Sequence, residues 1–360
     1  MAAPVSPARA GRPGGGSGVT AAVDRTRSGL GPPQSGVYDL LALDGGGTKT
    51  EAVVLDSNGR IGARRTVGPS NLQNLGEDGC RRALAAAIDG VLAQVGLKRH
   101  EIRAACLGVG GLDTDADAAS YARIVRNLFG PAAERVLVES DGFIPIFSGT
   151  RGRAGVALIA GTGSMAVGVD DRGCRARAGG WGALLGDEGS AYDIGRQALI
   201  LVLRGLDGRA RPSTLRADIE EHFGRPLPEV VAMLYRQDSP ETLIASVAQL
   251  VARAAEEGDR TSRQLLRRGA RELALCVRAV LGKLRFASEP VPVVLSGSLF
   301  RSRILREEVA RQLSTSRVRV ELIRPTLPPV AGACYLACRQ AGVEIASAFW
   351  DNLARGLLDG

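Results

Sequence analysis

The sequence feature that most constrains the fold is a strand, glycine turn and strand that occurs twice, at residues 41–55 and 155–169. Each copy starts with an apolar run, turns through a glycine-rich segment and continues in a second run that is typical of a strand. Further predicted elements follow in the same order in both copies, as βββαβαβ. The repeat therefore predicts an α/β protein of two similar lobes, each containing five strands, with a cleft between them.

The domain organisation follows from this repeat. A chain of 360 residues is long for one domain, and we predict a first lobe at residues 37–150 and a second at 151–342. A C-terminal helix at 343–358 is an optional completion of the first lobe. Apolar residues at helical spacing predict a helical insertion at 188–286 in the second lobe. Residues 1–36 are rich in Pro, Gly, Ala and Arg and are predicted to be a disordered extension.

Composition excludes several classes of protein. No apolar run approaches the roughly 18 residues that a membrane helix needs, so no membrane partner is expected. The net charge of +8 comes without a basic stripe interleaved with aromatic residues, which argues against nucleic acid and suits a phosphorylated ligand. The six cysteines are scattered without a C-x-x-C pair, and with no secretory apolar segment they predict a reducing, cytoplasmic location.

The glycine turns predict a binding site for the phosphates of ATP. Glycine lets successive backbone N–H groups face an anion without an obstructing Cβ. Two such turns from two lobes can hold one polyphosphate from both sides, and a third turn, after a predicted strand at 291–295, can pass close to the adenosine. The residues concerned are Gly45, Gly46, Gly47, Thr48 and Lys49 in the first turn, Gly161, Thr162, Gly163 and Ser164 in the second, and Gly297 and Ser298 in the third. Tight hairpins for the first two and a strand-to-helix turn for the third are the structural alternatives.

A carboxylate is the candidate general base. The chain has two histidines, His100 and His222, both far in sequence from every glycine turn. Asp141 ends a predicted strand at the boundary between the repeats, where the floor of the cleft is expected. Its alternative role is to cap the helix that follows. Asp44 is the candidate ligand of Mg²⁺, which prefers oxygen ligands, and its alternative role is a hydrogen bond to its own turn.

Several segments, in order, resemble the N-acetylglucosamine kinase group of the BadF/BadG/BcrA/BcrD ATPase family, within the sugar kinase, Hsp70 and actin superfamily. The resemblance covers about residues 38–342. LALDGGGTKTEAVVLD and LIAGTGSMAVGVD are similar to the two phosphate motifs, VVLSGSLF to the adenosine motif, and GVGGLD and PPVAGACYLA to the connecting segments. GGWGALLGDEGSAY, at 179–192, is the most specific match. The resemblance implies two ribonuclease H-like, actin-like ATPase lobes with mixed five-stranded sheets.

The resemblance also implies roles for particular residues. It aligns Asp141 with the catalytic Asp of the family and places sugar contacts at Asn71, Gly111, Asp141, Gly180, Trp181, Asp187 and Glu188. Each has a structural alternative, because Asn71 suits a turn, Trp181 suits a core, and Asp187 with Glu188 suits a helix N-terminus. The sequence departs from the family at Phe143, Ile144 and Pro145, which suggests a reshaped pocket. Ala178 lies at a position where family members differ, and we expect it to influence the choice of 2-substituent.

The predicted function is ATP- and Mg²⁺-dependent phosphorylation of the 6-hydroxyl of an amino sugar, foremost N-acetylglucosamine to N-acetylglucosamine 6-phosphate. Glucosamine and N-acetylmuramic acid are alternative substrates. An ATPase that activates an iron–sulfur enzyme is the alternative class, although the cysteines offer no convincing cluster site. A sugar-responsive repressor would need a DNA-binding helix-turn-helix before the first lobe, which the composition of residues 1–36 does not support. The small-molecule sugar is the expected partner, and a homodimer is one option that the resemblance raises.

Overall fold

The computed structural model describes residues 36–211 and 213–359. The predicted disordered extension at 1–36 therefore lies outside the described residues, apart from Gly36. Within the described ranges, no helix has the length and apolar character needed to cross a membrane.

The first sheet has the strand order β3-β2-β1-β4-β5. The pairs β1·β2 and β2·β3 are antiparallel, whereas β1·β4 and β4·β5 are parallel. The antiparallel pairs come from the two short turns of the meander, and the parallel pairs need the longer helical crossovers that follow. The strands are β1 (Leu40–Gly45), β2 (Thr50–Leu55), β3 (Ile61–Val67), β4 (Ala104–Val109) and β5 (Val136–Ser140).

The second sheet repeats this topology, in the order β8-β7-β6-β9-β10. Its first strand again pairs antiparallel with the next strand in sequence and parallel with the strand that follows a crossover. The predicted duplication and the mixed five-stranded sheets are thereby confirmed. The strands are β6 (Gly155–Ala160), β7 (Ser164–Val169), β8 (Arg175–Gly179), β9 (Val291–Ser296) and β10 (Val320–Ile323).

Eleven α-helices are present in the described ranges. Five of them, α4 to α8, lie between β8 and β9 and form the helical insertion, which contributes most of the hydrophobic core of the second lobe. The helices are α1 (Leu72–Leu92), α2 (Asp115–Phe129), α3 (Ile144–Thr150), α4 (Ala191–Leu206), α5 (Leu215–Phe223), α6 (Leu227–Tyr235), α7 (Glu241–Glu256), α8 (Arg260–Lys283), α9 (Arg303–Leu313), α10 (Val330–Gln340) and α11 (Phe349–Leu358).

Helix α1 begins earlier than its apolar spacing predicts. The apolar spacing predicts a helix from residue 77, whereas α1 begins at Leu72 because the side chain of Asn71 accepts hydrogen bonds from the N–H groups of Gln73 and Asn74. Gly76 has a φ of 65° and interrupts the first turns of this helix. The apolar periodicity becomes regular only after this interruption, which explains why it located the later start.

Two helices cross between the lobes. Helix α3 follows the last strand of the first sheet but packs against β6 and β9, and α10 follows the last strand of the second sheet but packs against β1 and β4. The two helices also contact each other, within an apolar core that contains residues of both sheets and of α11. Helix α11 contacts β3 of the first sheet. The lobe limits at residues 150 and 342 stay predictions, since these helices pack across them.

The facing sides of the two sheets are apolar at the start of the strands and polar at their carboxyl ends. On β1 this face carries Leu40 and Ala42, which belong to the shared apolar core. Asp44 follows on the same face, because side chains alternate along a strand. The interlobe space is therefore closed by apolar packing at its base and lined by polar groups at the carboxyl ends of the strands.

Gly332 of α10 provides a test of this packing. A Cβ at this position would overlap the main-chain carbonyl oxygen of Ile144 in α3 and lie 3.1 Å from the N–H nitrogen of Ser148. We expect Gly332→Ala to reduce the free energy of unfolding by about 1–3 kcal/mol, because one of the two helices must shift. The control Gly282→Ala, in α8, introduces a Cβ with nothing within 4 Å and should be neutral or stabilising by up to about 1 kcal/mol. Chemical unfolding measures both, and equal effects would contradict the proposed close packing.

Candidate active site

The candidate site begins where three neighbouring parallel strands of the first lobe end. The backbone pairing continues past the strands, with Gly110 N donating to Gly45 O at 2.8 Å and Asp141 N donating to Val109 O at 3.0 Å. The carboxyl ends of β1, β4 and β5 are thus held side by side. In open α/β sheets this edge is where ligands commonly bind.

Two side chains and the backbone of the first glycine turn converge at Gly110. A Cβ on this residue would lie 2.9 Å from Asp141 Oδ2, 3.0 Å from Asn71 Nδ2 and 3.4 Å from the Cα atom of Gly46. Only a glycine leaves room for this arrangement. The structure therefore brings the candidate base, a candidate sugar-binding amide and the first glycine turn together. Gly110 was not among the predicted site residues, although the adjacent Gly111 was.

Asp141 does not cap the following helix. Helix α3 begins at Ile144, and its N-cap residue is Phe143, which makes no side-chain capping hydrogen bond. The structural alternative for Asp141 is therefore not supported. Its neighbour Gly142 contacts the second lobe, since a Cβ there would lie 2.5 Å from Met165 Cε. Asp141 consequently lies at the junction of the two lobes.

The carboxylates at this edge have perturbed proton affinities. Burial raises the pKa of Asp141 to about 6; the Asp113 carboxylate acts in the same direction, while the Gly142 N–H and the charge of Arg177 oppose it. Burial also raises the pKa of Asp44 to about 7, with contributions from the negative charges of Asp141 and Glu51. Both shifts arise because the apolar base of the cleft and nearby negative charges disfavour the ionised form.

This concentration of negative charge suits a cation. The described residues contain no group of three or more His, Cys, Asp or Glu side chains arranged to hold a metal ion. A Mg²⁺ ion at Asp44 would therefore take most of its ligands from water and phosphate oxygens, which is its usual behaviour in nucleotide sites. One carboxylate together with water and phosphate oxygens is a ligand set that fits Mg²⁺.

The first glycine turn is fixed at its base and exposed at its tip. Gly46 N donates to Lys49 O at 3.0 Å, and Gly46 O accepts from Ser70 N at 3.1 Å. Gly47, Thr48 and Lys49 are exposed. The base of the turn is thus docked on the segment that leads to Asn71, while its tip is accessible to a ligand.

Lys49 is held by an acidic neighbour. Its Nζ atom lies 3.4 Å from Glu51 Oε2, and the same carboxylate also pairs with Arg64 at 2.7 Å. Glu51 is almost completely buried, whereas Lys49 is largely exposed. The ammonium group of Lys49 therefore lies beside the turn and is accessible to a phosphate.

The second glycine turn is docked on the start of α4. Ala191 N and Tyr192 N donate to Gly161 O and Thr162 O at 2.9 and 3.2 Å, and Asp187 Oδ1 accepts from Ser164 N at 3.0 Å. A Cβ on Gly163 would lie 2.9 Å from both Asp187 carboxylate oxygens. Close approach of Asp187 is therefore a second reason for glycine in this turn.

Asp187, Glu188 and Trp181 have different surroundings. Ser190 is the N-cap residue of α4, and Asp187, three residues before it, accepts a hydrogen bond from Ser164 N in the glycine turn. Asp187 has a φ of 59°, an uncommon conformation for a residue with a Cβ. Glu188 is exposed. Trp181 is 75% exposed, so its alternative assignment to a core is wrong.

The third turn lies beside the second. β9 is parallel to β6, with Ser296 opposite Ile159, and Gly297 has a φ of 107°. A Cβ on Gly297 would overlap the carbonyl group of Ala160. Gly297 and Ser298 are exposed. The second lobe thus presents two adjacent turns at the carboxyl ends of its strands, as the repeat predicts.

Two arginines of β8 that were not among the predicted site residues join the lobes. Arg175 forms a bidentate pair with Glu139 of β5, at 2.7 and 2.6 Å, and Arg177 pairs with Asp113. The two arginines are two residues apart on an edge strand and therefore share the face directed at the first lobe. Their spacing is the signal in the sequence that could have identified them.

The residues that depart from the family pattern have specific positions. The guanidinium group of Arg175 lies 4.9 Å from the centre of the Phe143 ring, and Ile144 packs against Gly108. Phe143 and Ile144 therefore stabilise the junction of the lobes. Ala178 packs against the core formed by the helical insertion, on the face of β8 opposite to Arg177. The side chain of Ala178 therefore points away from the cleft, and its expected influence on the choice of 2-substituent stays a prediction that would act through neighbouring residues.

Comparisons with known proteins agree with this architecture. The model of the BadF/BadG/BcrA/BcrD ATPase family matches residues 41–337. The chain is 30% identical over 300 residues to an N-acetylmuramic acid/N-acetylglucosamine kinase of Clostridium acetobutylicum, a match that covers 83% of this chain and 97% of that protein. It is 31% identical over 313 residues to an N-acetyl-D-glucosamine kinase of Dictyostelium discoideum, with the same two coverages.

A solved structure from Chromobacterium violaceum, provisionally assigned as an N-acetylglucosamine kinase, is also similar. The TM-score is 0.69 and the sequence identity 26%, and the match covers 83% of this chain and 98% of that chain. The family match spans all three glycine turns, Asp141 and the segment from Gly179 to Tyr192.

The raised pKa of Asp141 predicts an effect on stability. The pKa of the Asp141 carboxyl group is about 6 in the folded protein and has its ordinary value of 3.8 in the unfolded chain. The protonated group therefore contributes its full stabilisation below about pH 4, and this contribution is lost as the pH rises through 6. The amide in Asp141→Asn avoids this loss. At pH 8, without metal or nucleotide, we expect the free energy of unfolding of the variant to exceed that of the wild type by about 1–2 kcal/mol. This is less than the full free energy that corresponds to the pKa shift, because the carboxylate is partly exposed to solvent.

Thermal unfolding between pH 5 and pH 8 in metal-free buffer measures this effect. The advantage of the variant should shrink toward pH 5, where the wild-type carboxyl is mostly protonated in the folded state. A variant that is less stable than the wild type at pH 8 would contradict the proposed burial of this charge.

Proposed function

The chain belongs to the BadF/BadG/BcrA/BcrD ATPase family, and we propose that it is an ATP-dependent kinase that phosphorylates the 6-hydroxyl of an amino sugar. N-acetylglucosamine is the proposed substrate and N-acetylglucosamine 6-phosphate the product. The names of the two curated relatives support an N-acetylated amino sugar. The observation that carries the proposal is the position of Asp141, whose Oδ2 atom lies beside Asn71 and the first glycine turn at the junction of the lobes.

In the proposed reaction, Asp141 accepts the proton of the sugar hydroxyl. The hydroxyl oxygen forms a bond to the γ-phosphorus of ATP, and the bond from that phosphorus to the oxygen bridging the β- and γ-phosphates breaks to release ADP. Because this kind of transfer depends mainly on positioning and charge neutralisation, one moderate base is sufficient. With a pKa of about 6, Asp141 is largely ionised at neutral pH and can accept a proton.

The glycine turns would hold the nucleotide. The exposed tip formed by Gly47, Thr48 and Lys49 offers N–H groups, a hydroxyl and an ammonium group to the terminal phosphates. The second turn, Gly161 to Ser164, would hold another part of the phosphate chain, and Gly297 with Ser298 would lie near the adenosine. Mg²⁺, held through Asp44, would neutralise charge on the phosphates.

The sugar would lie between Asn71 and Gly111 of the first lobe and the segment from Gly180 to Glu188 of the second. Trp181 is exposed, and an aromatic ring can cover the apolar face of a sugar while carboxylates and amides bind its hydroxyls. Closing the lobes on the sugar would bury Trp181 and exclude water from the reaction. Glucosamine and N-acetylmuramic acid stay alternative substrates, and a homodimer and a cytoplasmic location stay predictions.

The cysteines disfavour the iron–sulfur activator alternative. Of the six cysteines, Cys80, Cys106, Cys334 and Cys338 are buried, Cys276 is partly buried, and Cys174 is exposed. A cluster shared by two subunits needs about four thiolates at their interface. One exposed cysteine in each of two subunits provides only two.

Substrate choice is tested by measuring ADP release with a panel of sugars. We expect turnover with N-acetylglucosamine above that with glucosamine, N-acetylmuramic acid, N-acetylmannosamine and glucose, because N-acetylglucosamine is the sugar that the names of both relatives share. Phosphorus NMR of the product, through coupling to the two C6 protons, identifies the phosphorylated oxygen. No turnover with any of the five sugars would refute the proposed activity, and a phosphate on another oxygen would refute the 6-hydroxyl assignment.

The role of Asp141 is tested by Asp141→Asn. The amide cannot accept the proton, so turnover should fall by a factor of about 10² or more. Binding of ATP and sugar, measured by calorimetry, should stay within about threefold, since the shape of the side chain is preserved. Asp78→Asn replaces an exposed carboxylate of α1 and serves as the control. Near-normal turnover of Asp141→Asn would exclude Asp141 as the base.

A further inference from the structure

Arg177 lies where the proposed sugar-binding segments of the two lobes meet. Its side chain extends from β8 toward the first lobe, where Nη1 donates to Asp113 Oδ1. On its own lobe, Nε donates to the carbonyl oxygen of Gly179 at 3.1 Å, and Nη2 donates to that of Gly180. One guanidinium group therefore connects a carboxylate of the first lobe with two consecutive carbonyl groups of the second.

The two carbonyl groups belong to a backbone segment that needs support. Gly179 and Gly180 have φ values of 75° and 74°, so two successive residues are in the left-handed region. The segment leads directly to Trp181, whose ring centre is 5.5 Å from the guanidinium carbon. Arg177 thus contacts both the turn that positions Trp181 and the ring itself.

On the first lobe, Asp113 is held by a second hydrogen bond. Its Oδ2 atom accepts from Gln73 Nε2 at 2.9 Å, and the backbone N–H of Gln73 donates to Asn71 Oδ1 at 2.9 Å. A continuous chain of hydrogen bonds therefore runs from Asn71 through Gln73 and Asp113 to Arg177. It links the candidate sugar contacts of the two lobes.

An ordinary surface ion pair would contribute little to holding the two segments in position, because water screens the attraction between exposed charges. This pair differs in two respects. The side chains of Arg177 and Asp113 are only 28% and 35% exposed. Three donors of the guanidinium fork are also directed at three different acceptors, which is a use that lysine cannot reproduce. The contacts at this point favour a positioning role over a solvated charge pair.

We propose that Arg177 and Asp113 form a positioning pair across the cleft, which holds the segment from Gly179 to Trp181 of the second lobe against Asn71 and Gly111 of the first lobe. The pair preassembles the sugar-binding surface, so that less conformational freedom is lost when the sugar binds. The inference rests on the proposed sugar kinase function. It assigns to this pair an effect on sugar affinity, beside the opposite effects of the two charges on the pKa of Asp141.

The position of the pair separates its effect on sugar from any effect on ATP. Its contacts are with the segments proposed to bind sugar, whereas the glycine turns are docked through other residues, Ser70 for the first and Asp187 for the second. Loss of the pair should therefore weaken binding of sugar and leave binding of ATP nearly unchanged. The deeper pair of Arg175 and Glu139 keeps the lobes joined in such variants.

The test uses Arg177→Met, Asp113→Asn and the double variant in the full-length protein. Each single variant should raise KM for the sugar, and its Kd measured by calorimetry, by about tenfold, the scale of one lost charge-assisted network. KM for ATP should stay within about twofold. The double variant should be no worse than either single variant, because both remove the same interaction. Arg177→Lys should be intermediate, since it keeps the charge but loses the fork.

A second measurement is independent of activity. Hydrogen exchange in the ligand-free protein should be faster at the amides of residues 179–182 in Asp113→Asn, although the substitution is in the other lobe. The control is Arg123→Met, which breaks a bidentate pair with Glu77 inside the first lobe and should change neither exchange at 179–182 nor KM for the sugar. Thermal unfolding verifies that each variant is folded, and if Arg177→Met does not fold, Asp113→Asn carries the test.

The outcomes are distinct. Unchanged exchange at 179–182 in Asp113→Asn, or additive effects in the double variant, would overturn the inference. Loss of N-acetylmuramic acid phosphorylation alone, with N-acetylglucosamine unaffected, would also overturn it and identify Arg177 as a receptor for the carboxylate of that sugar. Wild-type protein without activity on any sugar would refute the proposed function, and the exchange measurement would still decide whether the pair holds the segment.

Discussion

The parallel pairing of β1 with β4, and of β4 with β5, is the constraint on which the rest of the structure depends. It places the ends of three strands at one edge of the first sheet, so that Asp44, Gly110 and Asp141 are neighbours although they are far apart in the sequence. The second sheet repeats the pairing. Because α3 and α10 pack between the sheets, the charged strand ends lie above an apolar base, where burial raises the pKa values of Asp44 and Asp141.

The glycines at this edge serve two physical purposes. Some allow side chains to approach the backbone closely, as Asp141 and Asn71 do at Gly110 and as Asp187 does at Gly163. Others, such as Gly47, are exposed at the tip of a turn and can present N–H groups to an anion. Holding the carboxylates of Asp44 and Asp141 close together without a cation or a proton lowers the stability of the folded protein. Active sites commonly lose stability in this way in exchange for function.

Local patterns in the sequence predicted much of the fold. The repeated strand and glycine turn predicted two mixed five-stranded sheets, and the structure contains both. The start of α1 was missed because Gly76 interrupts its periodicity, and capping by Asn71 depends on side-chain geometry. The pairs Arg175–Glu139 and Arg177–Asp113 were also missed. A pair between lobes depends on which faces of two sheets meet, and no local pattern contains that information.

The central claim is that the two lobes hold ATP and a sugar with one sugar hydroxyl against Asp141. A crystal structure with a non-hydrolysable ATP analogue, Mg²⁺ and N-acetylglucosamine tests it most directly. The account predicts the phosphates between the turns at Gly45–Lys49 and Gly161–Ser164, with the sugar O6 within hydrogen-bonding distance, about 2.6–3.2 Å, of Asp141. A nucleotide bound away from both turns, or a sugar hydroxyl out of reach of Asp141 with the lobes closed, would contradict it.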